Sequence, residues 1–462
     1  MTIHTRTLRL VTIGYLAIPL VLFLVGWTRW PIAAGIGAAL VWWFVRQVRD
    51  REIDHGDRDV AVPWSAVIGI VVVAVLWMAL SGIGGFGYQN YDYEKHNAVL
   101  RALIDEPWPV AIPTHDGPAM LVYYVGYYLV PAAIGKLVGW HASMAVVVVW
   151  SLIGILLTLC WVGVLTRTMR TWTLVVFVLW GGLSLIGHVM FHDMAGTPGN
   201  WNVENWTRMF LFNANTTHLF WAPQHGIVGW LATSIVIHEH RTEGALHTGP
   251  WLVALALMWS PFIAVGIAPL LAVSMLRALR AKGRIPWLWW LPPIAIGLVL
   301  SAFYLSIITP IPHGFAPVLF GTKFLQVWGL FCVLEFGLWV MVLRHRPPLW
   351  ITSVVVLAVL PLVKYGHFGD LVIRSSLPSL FVICIAVAGE LGTRVRSWLL
   401  PLWIVGSTAA IGDMLLSVEN GPPLFTLAIP EHPARIVELR PRQVAAQYIG
   451  SPDSFFFTTL AR

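Results

Sequence analysis

Charged side chains are scarce in this chain: 29 Lys and Arg with 22 Asp and Glu make up only 11% of 462 residues. Soluble domains carry about 25%. With hydrophobic residues at 58% and a mean hydropathy of +0.75, too little polar surface remains to cover a core of this size in water, which excludes a water-soluble globule. Cysteine is scarce as well. Cys160, Cys332 and Cys384 all lie inside apolar runs, at spacings that fit neither a metal site nor a disulfide framework. No repeat of 20–50 residues and no low-complexity tract is present, which sets aside solenoids and arrays. The net charge of +7 is not a nucleic-acid signature, because the basic residues sit in short segments between apolar runs.

Apolar runs fill the chain instead. They fall near residues 11–27, 31–46, 63–82, 119–139, 143–165, 172–190, 219–237, 250–277, 286–306, 323–343, 349–365, 375–392 and 398–416. Most match the length of a helix that crosses hydrocarbon, not that of a barrel strand. Only helices and closed barrels satisfy their own backbone there. The fold class is therefore all-α, a polytopic integral membrane protein in a lipid bilayer. The 26 Trp residues suit anchoring at the membrane boundary. The first run comes after Arg6 and Arg9 like a signal peptide but lacks a small-residue cleavage site, and it reads as a retained helix. The 250–277 run is long enough for two short helices turning at Trp259-Ser260-Pro261.

Orientation turns on residues 119–139. If they cross the membrane, the basic loops at 46–59 and 167–170 fall on opposite sides. If they lie along its surface, one side collects Arg6, Arg9, the 46–58 arginines, Arg167, Arg170, Arg241, the 277–284 cluster, Arg344, Arg346, Arg394 and Arg396, seventeen of the 29 basic residues. The second arrangement obeys the positive-inside rule. It predicts about thirteen spans, a cytoplasmic N-terminus and an external, periplasmic C-terminus in a plasma (inner) membrane. The chain then divides into three regions: residues 1–60, two leading helices and a basic loop; 61–416, the transmembrane core with external loops at 83–142 and 191–218; and 417–462, an external segment that reads as an ordered cap.

The informative polar residues gather on the external side. Residues 85–110 begin with Asp92, Glu94, Lys95 and His96. Ala98, Val99, Ala102 and Leu103 then repeat at helical spacing, so an amphipathic helix lies at the interface until Pro107 and Pro109. Asp92 and His96 are four apart, on one helix face. A carboxylate there suits a general base or a ligand to a divalent cation such as Mg or Mn; the alternative is that Asp92 or Asn90 only caps the helix. The tyrosines at 123, 124, 127 and 128 read as interfacial anchors, with Lys136 snorkelling.

The second external loop carries His188, His192, Asp193, Glu204, Arg208 and His218, and reads as solvated. Gln224 and His225 fall just inside the next span, where polar groups face a cavity or a partner. Asp370 and Arg374 stand four apart at the external start of another span. They form either an anion site at a helix N-terminus or a local ion pair. Lys323, Lys364 and His313 lie on the same side and could line the same cavity. Glu335, within a span, could be a buried hydrogen-bonded acid.

A span that ends externally in an acidic motif, Asp92-Tyr93-Glu94, succeeded by an amphipathic helix and a Pro- and Tyr-rich element from Gly117 to Trp140, resembles the start of GT-C glycosyltransferases. That resemblance implies a transferase that takes a sugar from a polyprenyl-phosphate donor and passes it, with inversion, to a glycan, lipid or protein acceptor on the external face. It implies Asp92 or Glu94 as the catalytic acid motif. Binding groups would be drawn from His96, Gln224, His225, Lys323, Lys364, Asp370 and Arg374. The tyrosine between the two acids and the two helices before the motif span depart from the usual family pattern. A polymerase or ligase of lipid-linked glycans, and a transporter or flippase of lipid-linked sugars, would also place ionisable residues in a membrane cavity.

Overall fold

Long apolar runs fold as helices because the backbone of a segment without polar side chains must satisfy its own N–H and C=O groups. The structure, a computed structural model, describes residues 2–49, 59–114, 117–191, 202–343, 347–393, 398–423, 426, 428–431, 433–439 and 447–462. The chain is mostly helical, and among the described residues eight helices are long and apolar enough to cross a membrane. Three shorter apolar helices accompany them.

Two long helices open the chain, α1 (Thr5–Trp27) and α2 (Trp30–Arg49), before the shorter α3 (Trp64–Ala79). Next come α4 (Asp92–Asp105), α5 (Gly126–Val138) and the long α6 (Trp140–Thr166). The 172–190 run is not one helix. It breaks into α7 (Thr171–Val178) and α8 (Ser184–Phe191). Between them Gly182 packs so closely against Glu335 that any Cβ would collide with the carboxylate.

Helix α9 (Asn215–Trp221) leads into α10 (Pro223–Thr242), which is buried at every residue from Pro223 to His240 and forms the centre of the bundle. The 250–277 run divides where the sequence indicates, into α11 (Ala245–Trp259) and α12 (Pro261–Lys282). Ser260 caps α12 by accepting from the Ile263 N–H at 3.3 Å, and Pro261 occupies a first-turn position that needs no N–H. The remaining helices are α13 (Trp287–Tyr304), α14 (Ala316–Leu343), α15 (Pro348–Leu362), α16 (Asp370–Thr393) and α17 (Leu399–Asn420).

Side-chain contacts stitch the basic residues together at one end of the bundle. Arg6 donates to the Val48 carbonyl at the end of α2, and Arg9 pairs with Glu239 near the end of α10 at 3.2 Å. Arg170 reaches the Gly392 carbonyl, and Arg241 the Leu165 carbonyl. Arg51, Arg58, Arg344, Arg346, Arg394 and Arg396 lie outside the described residues.

The opposite end carries the acidic and aromatic segments, and there residues 119–139 depart from expectation. They are not a surface-lying helix. Residues Gly117–Leu121 are a strand, β2, hydrogen-bonded to β1 (Ala111–Thr114) and to β3 (Ile449–Gly450) near the C-terminus. Helix α5 then packs antiparallel to α6 about the turn at Gly139. Ser143 donates to the Pro131 carbonyl at 2.9 Å, and Tyr127 meets Ser151 at 2.6 Å. Twelve residues separate Tyr127 and Ser151 from the turn on either side, so α5 descends about 18 Å beside α6. At 13 residues it is too short to cross about 30 Å of hydrocarbon. By length it is therefore not a span of its own. The hydroxyls of Tyr124, Tyr127 and Tyr128 and the rings of all four tyrosines find partners inside the protein, so the segment sinks into the bundle instead of resting at the boundary.

Candidate functional site

The end of the bundle opposite the basic residues is hollow. A cavity of about 460 Å³ lies between the 122–124 segment, the start of α12, the end of α13, the start of α16 and the C-terminal segment. Its polar wall is Tyr124, Asp370, Arg374 and Tyr448, with Phe262 and Tyr304 among its aromatic residues. Leu305, also in the lining, is 83% exposed, so the cavity borders an exposed apolar surface.

Arg374 organises this wall. Its guanidinium pairs with Asp370 at 2.9 Å, the i,i+4 ion pair that the spacing allows, and donates to the Tyr124 hydroxyl at 2.9 Å. It also stands over the rings of Tyr124 and Phe262, at 5.7 and 5.3 Å. A planar cation can hold a carboxylate, a hydroxyl and two ring faces at once because its donors and its faces point in different directions. Lining residues therefore use only part of its donor set.

Asp92 begins α4 at the same end. Asn90 accepts from the Asp92 N–H at 3.0 Å and donates to the Phe220 carbonyl at 3.0 Å, so Asn90 performs the capping role and joins α4 to α9. The Asp92 carboxylate is left for Lys95, at 2.9 Å. Burial alone would raise its pKa, but Lys95, His96 and Arg374 together hold it below the ordinary carboxylate value. Asp92 does not line the cavity itself. Its charge acts on Arg374, Tyr124 and Tyr448, which do. Glu94 is exposed on the far side of the same helix. The two acids of the motif thus face different surroundings.

His96 is 5% exposed and bonded at both nitrogens, to the Trp221 carbonyl at 3.0 Å and to the Tyr128 hydroxyl. A carbonyl only accepts, so Nε2 carries the proton and Nδ1 accepts from Tyr128. Burial, with help from the Lys95 charge, presses its pKa down to about 3, in keeping with this neutral ring. His96 is therefore a positioning residue that fixes α4 against α9 and α5.

Behind the cavity, the His225 ring lies tilted against Tyr124, ring centres 4.7 Å apart, and its Nδ1 meets the Ser260 hydroxyl at 2.7 Å. Its Nε2 has no hydrogen-bond partner among the described residues. Neither do both ends of the Gln224 amide nor both ring nitrogens of His218, and all three residues are at most 1% exposed. Buried polar atoms are nearly always paired. These three residues fall within eight positions, His218 to His225, across the junction of α9 and α10.

The lysines lie further out. Lys323 is exposed, and Lys364 sits on a short strand with its ammonium 5.6 Å from the Phe320 ring; neither lines the cavity, whereas His313 does. The tyrosines expected as boundary anchors are instead internal: Tyr123, Tyr127 and Tyr128 are buried, and Tyr124 forms cavity wall. Nor is the second external loop uniformly solvated. Glu204 is 3% exposed, accepting from the Ala214 N–H at 2.6 Å and Thr217 at 3.0 Å. His192 and Asp193 lie outside the described residues. Glu335 is a buried acid held by Ser184 at 2.8 Å and Trp206 at 2.9 Å.

A second, smaller hollow of about 60 Å³ lies beside Asp92, lined by Tyr88, Tyr91, Trp221 and Asp413 among others. Tyr91 is 74% exposed and meets Trp221 edge-to-face, ring centres 5.1 Å apart. The sequence gives no site role to Tyr124, Ser260, Phe262, Tyr448 or Asp413, because a lone aromatic or polar residue beside apolar neighbours carries no signal of what it will face. Among the described residues no three His, Cys, Asp or Glu side chains converge as a metal-holding group. Asp92 and Asp370 are each paired with a cation. No family model, curated protein or solved structure matches the chain.

Proposed function

We propose that this protein is a membrane-embedded glycosyltransferase of the GT-C type. It would move a sugar from a polyprenyl-phosphate donor to an acceptor on the face opposite the basic end. The observation that carries the reading is Arg374, a cation on the wall of a cavity bordered by exposed, apolar Leu305, with the Asp92 carboxylate within its electrostatic reach. A lipid-linked phosphate needs a cation next to hydrocarbon, and Arg374 beside exposed Leu305, with donors beyond those given to Asp370 and Tyr124, supports that reading. The positive-inside rule makes the basic end cytoplasmic, so the cavity opens externally.

In this reading the donor phosphate lies against Arg374 and Tyr124 while its polyprenyl tail leaves past Leu305. The acceptor hydroxyl approaches beside Tyr91 and Trp221, aromatic surfaces suited to a sugar ring. Asp92 takes the hydroxyl proton as the oxygen attacks the anomeric carbon. The bond from that carbon to the phosphate oxygen breaks, and polyprenyl phosphate departs with the electron pair, its charge balanced by Arg374. Single displacement inverts the anomeric centre. The depressed Asp92 pKa keeps the base ionised at neutral pH. Gln224 and His225, with unpaired polar atoms, would orient the transferred sugar.

The test is direct. Protein purified from membranes is incubated with a panel of polyprenyl-phosphate sugars, and co-purifying lipids and products are identified by mass spectrometry. Transfer from one donor, lost in Asp92→Asn, supports the reading. Sugar-lipid translocation across vesicles without bond cleavage would replace it with a flippase.

A further inference from the structure

The basic end has a hollow of its own. A cavity of about 430 Å³ lies between the ends of α6, α10, α12, α14, α15 and α16. Arg241 and Arg277 stand at its charged margin, where Glu390 is the acidic residue among the described lining. Along α16 the wall is Val382, Ile385, Ala386 and Gly389, at the i, i+3, i+4, i+7 spacing of one helix face. That stripe runs about 10 Å into the bundle from the charged margin.

Both arginines are held loosely. Arg241 donates to the Leu165 carbonyl, at 3.3 and 3.4 Å, and Arg167 adds like charge beside it. Arg277 is half exposed and 3.6 Å from Glu243. Cations at one level, with apolar wall deeper in, match the polarity gradient of a phospholipid: phosphate at the headgroup level, acyl chain below. A small soluble anion would use the arginines and leave the apolar depth without purpose.

We propose that this cavity holds an anionic phospholipid, its phosphate between Arg241 and Arg277 and one acyl chain against the Val382–Gly389 face of α16. The site lies at the end of the bundle opposite Arg374 and stands independently of the glycosyl-transfer reading.

Native mass spectrometry of the purified protein, with phosphatidylglycerol and phosphatidylcholine of the same acyl chains added in parallel, tests it. Wild type should retain phosphatidylglycerol about tenfold more strongly, and Arg241→Gln with Arg277→Gln should remove that preference. Gly389→Leu offers a second variant with the arginines intact. A Cβ there meets nothing closer than 3.7 Å, so the first carbon of the new side chain is accommodated. It should lower retention of both lipids. Equal retention of the two lipids by wild type, or unchanged phosphatidylglycerol in both variants, overturns the proposal. Displacement of the lipid by inorganic phosphate at matched concentration assigns the arginines to a free anion and overturns it as well.

Discussion

Arg374 donates to the Tyr124 hydroxyl and pairs with Asp370, each at 2.9 Å, so one cation ties the segment entering α5 to the first turn of α16. Lysine carries the charge but cannot reproduce both contacts and the ring stacking. Arg374→Gln is expected to abolish transfer. It also leaves Asp370, 8% exposed, without its cation, at a cost of about 3–5 kcal/mol. Arg374→Lys should fall between. Thermal unfolding in detergent alongside transfer assays checks this; a Gln variant of wild-type stability would show that the pair is not the support described.

Asp92 and Glu94 are separated by one residue and differ in surroundings. Asp92→Asn should lower transfer by about 10²–10⁴-fold, the range for losing a general base. Glu94→Gln should leave activity near wild type, because Glu94 is exposed. Initial rates on matched amounts of folded protein decide the matter, and the reverse ranking would move the base to Glu94.

Acid should loosen the α4–α9 junction. The folded protein holds His96 neutral down to about 3, whereas the unfolded chain protonates it near the ordinary value of 6.5. Between those limits the unfolded state binds more protons, so stability falls as pH drops through the window. Asp92, with its pKa lowered, adds stability that is present above the ordinary 3.8 and lost as pH falls through its folded value. The unfolding temperature should therefore decline from pH 7 to pH 4. His96→Gln should show a shallower decline; an unchanged slope would acquit His96.

Helix α5 is too short to span a bilayer and packs against α6 about Gly139, so its two flanks are expected to share a side. Single cysteines placed at Tyr91 and at Gly139, in a chain with its three native cysteines replaced, should both react with a membrane-impermeant thiol reagent applied externally. One at Arg167 should react only after permeabilisation. Opposite labelling of the first two positions would make α5 a span.

Composition and apolar run length alone determined the membrane-spanning helical class, the α11–α12 division at Ser260 and the start of α4 at Asp92. Those features depend on local chemistry: apolar runs must form helices, Pro261 needs no N–H, and Asn90 caps the first turn of α4. The spacing of Asp370 and Arg374 likewise announced their ion pair. Only the tertiary structure decided which polar side chains meet. Tyr124 and Arg374 are 250 residues apart, and Tyr448 arrives from the C-terminal segment to close the same wall. The tyrosines looked like boundary anchors because hydropathy registers an aromatic ring with a hydroxyl in the same way at a lipid surface and in a protein interior. Only the partners that His96, Ser151 and Arg374 supply show that this segment sinks into the bundle and builds the site.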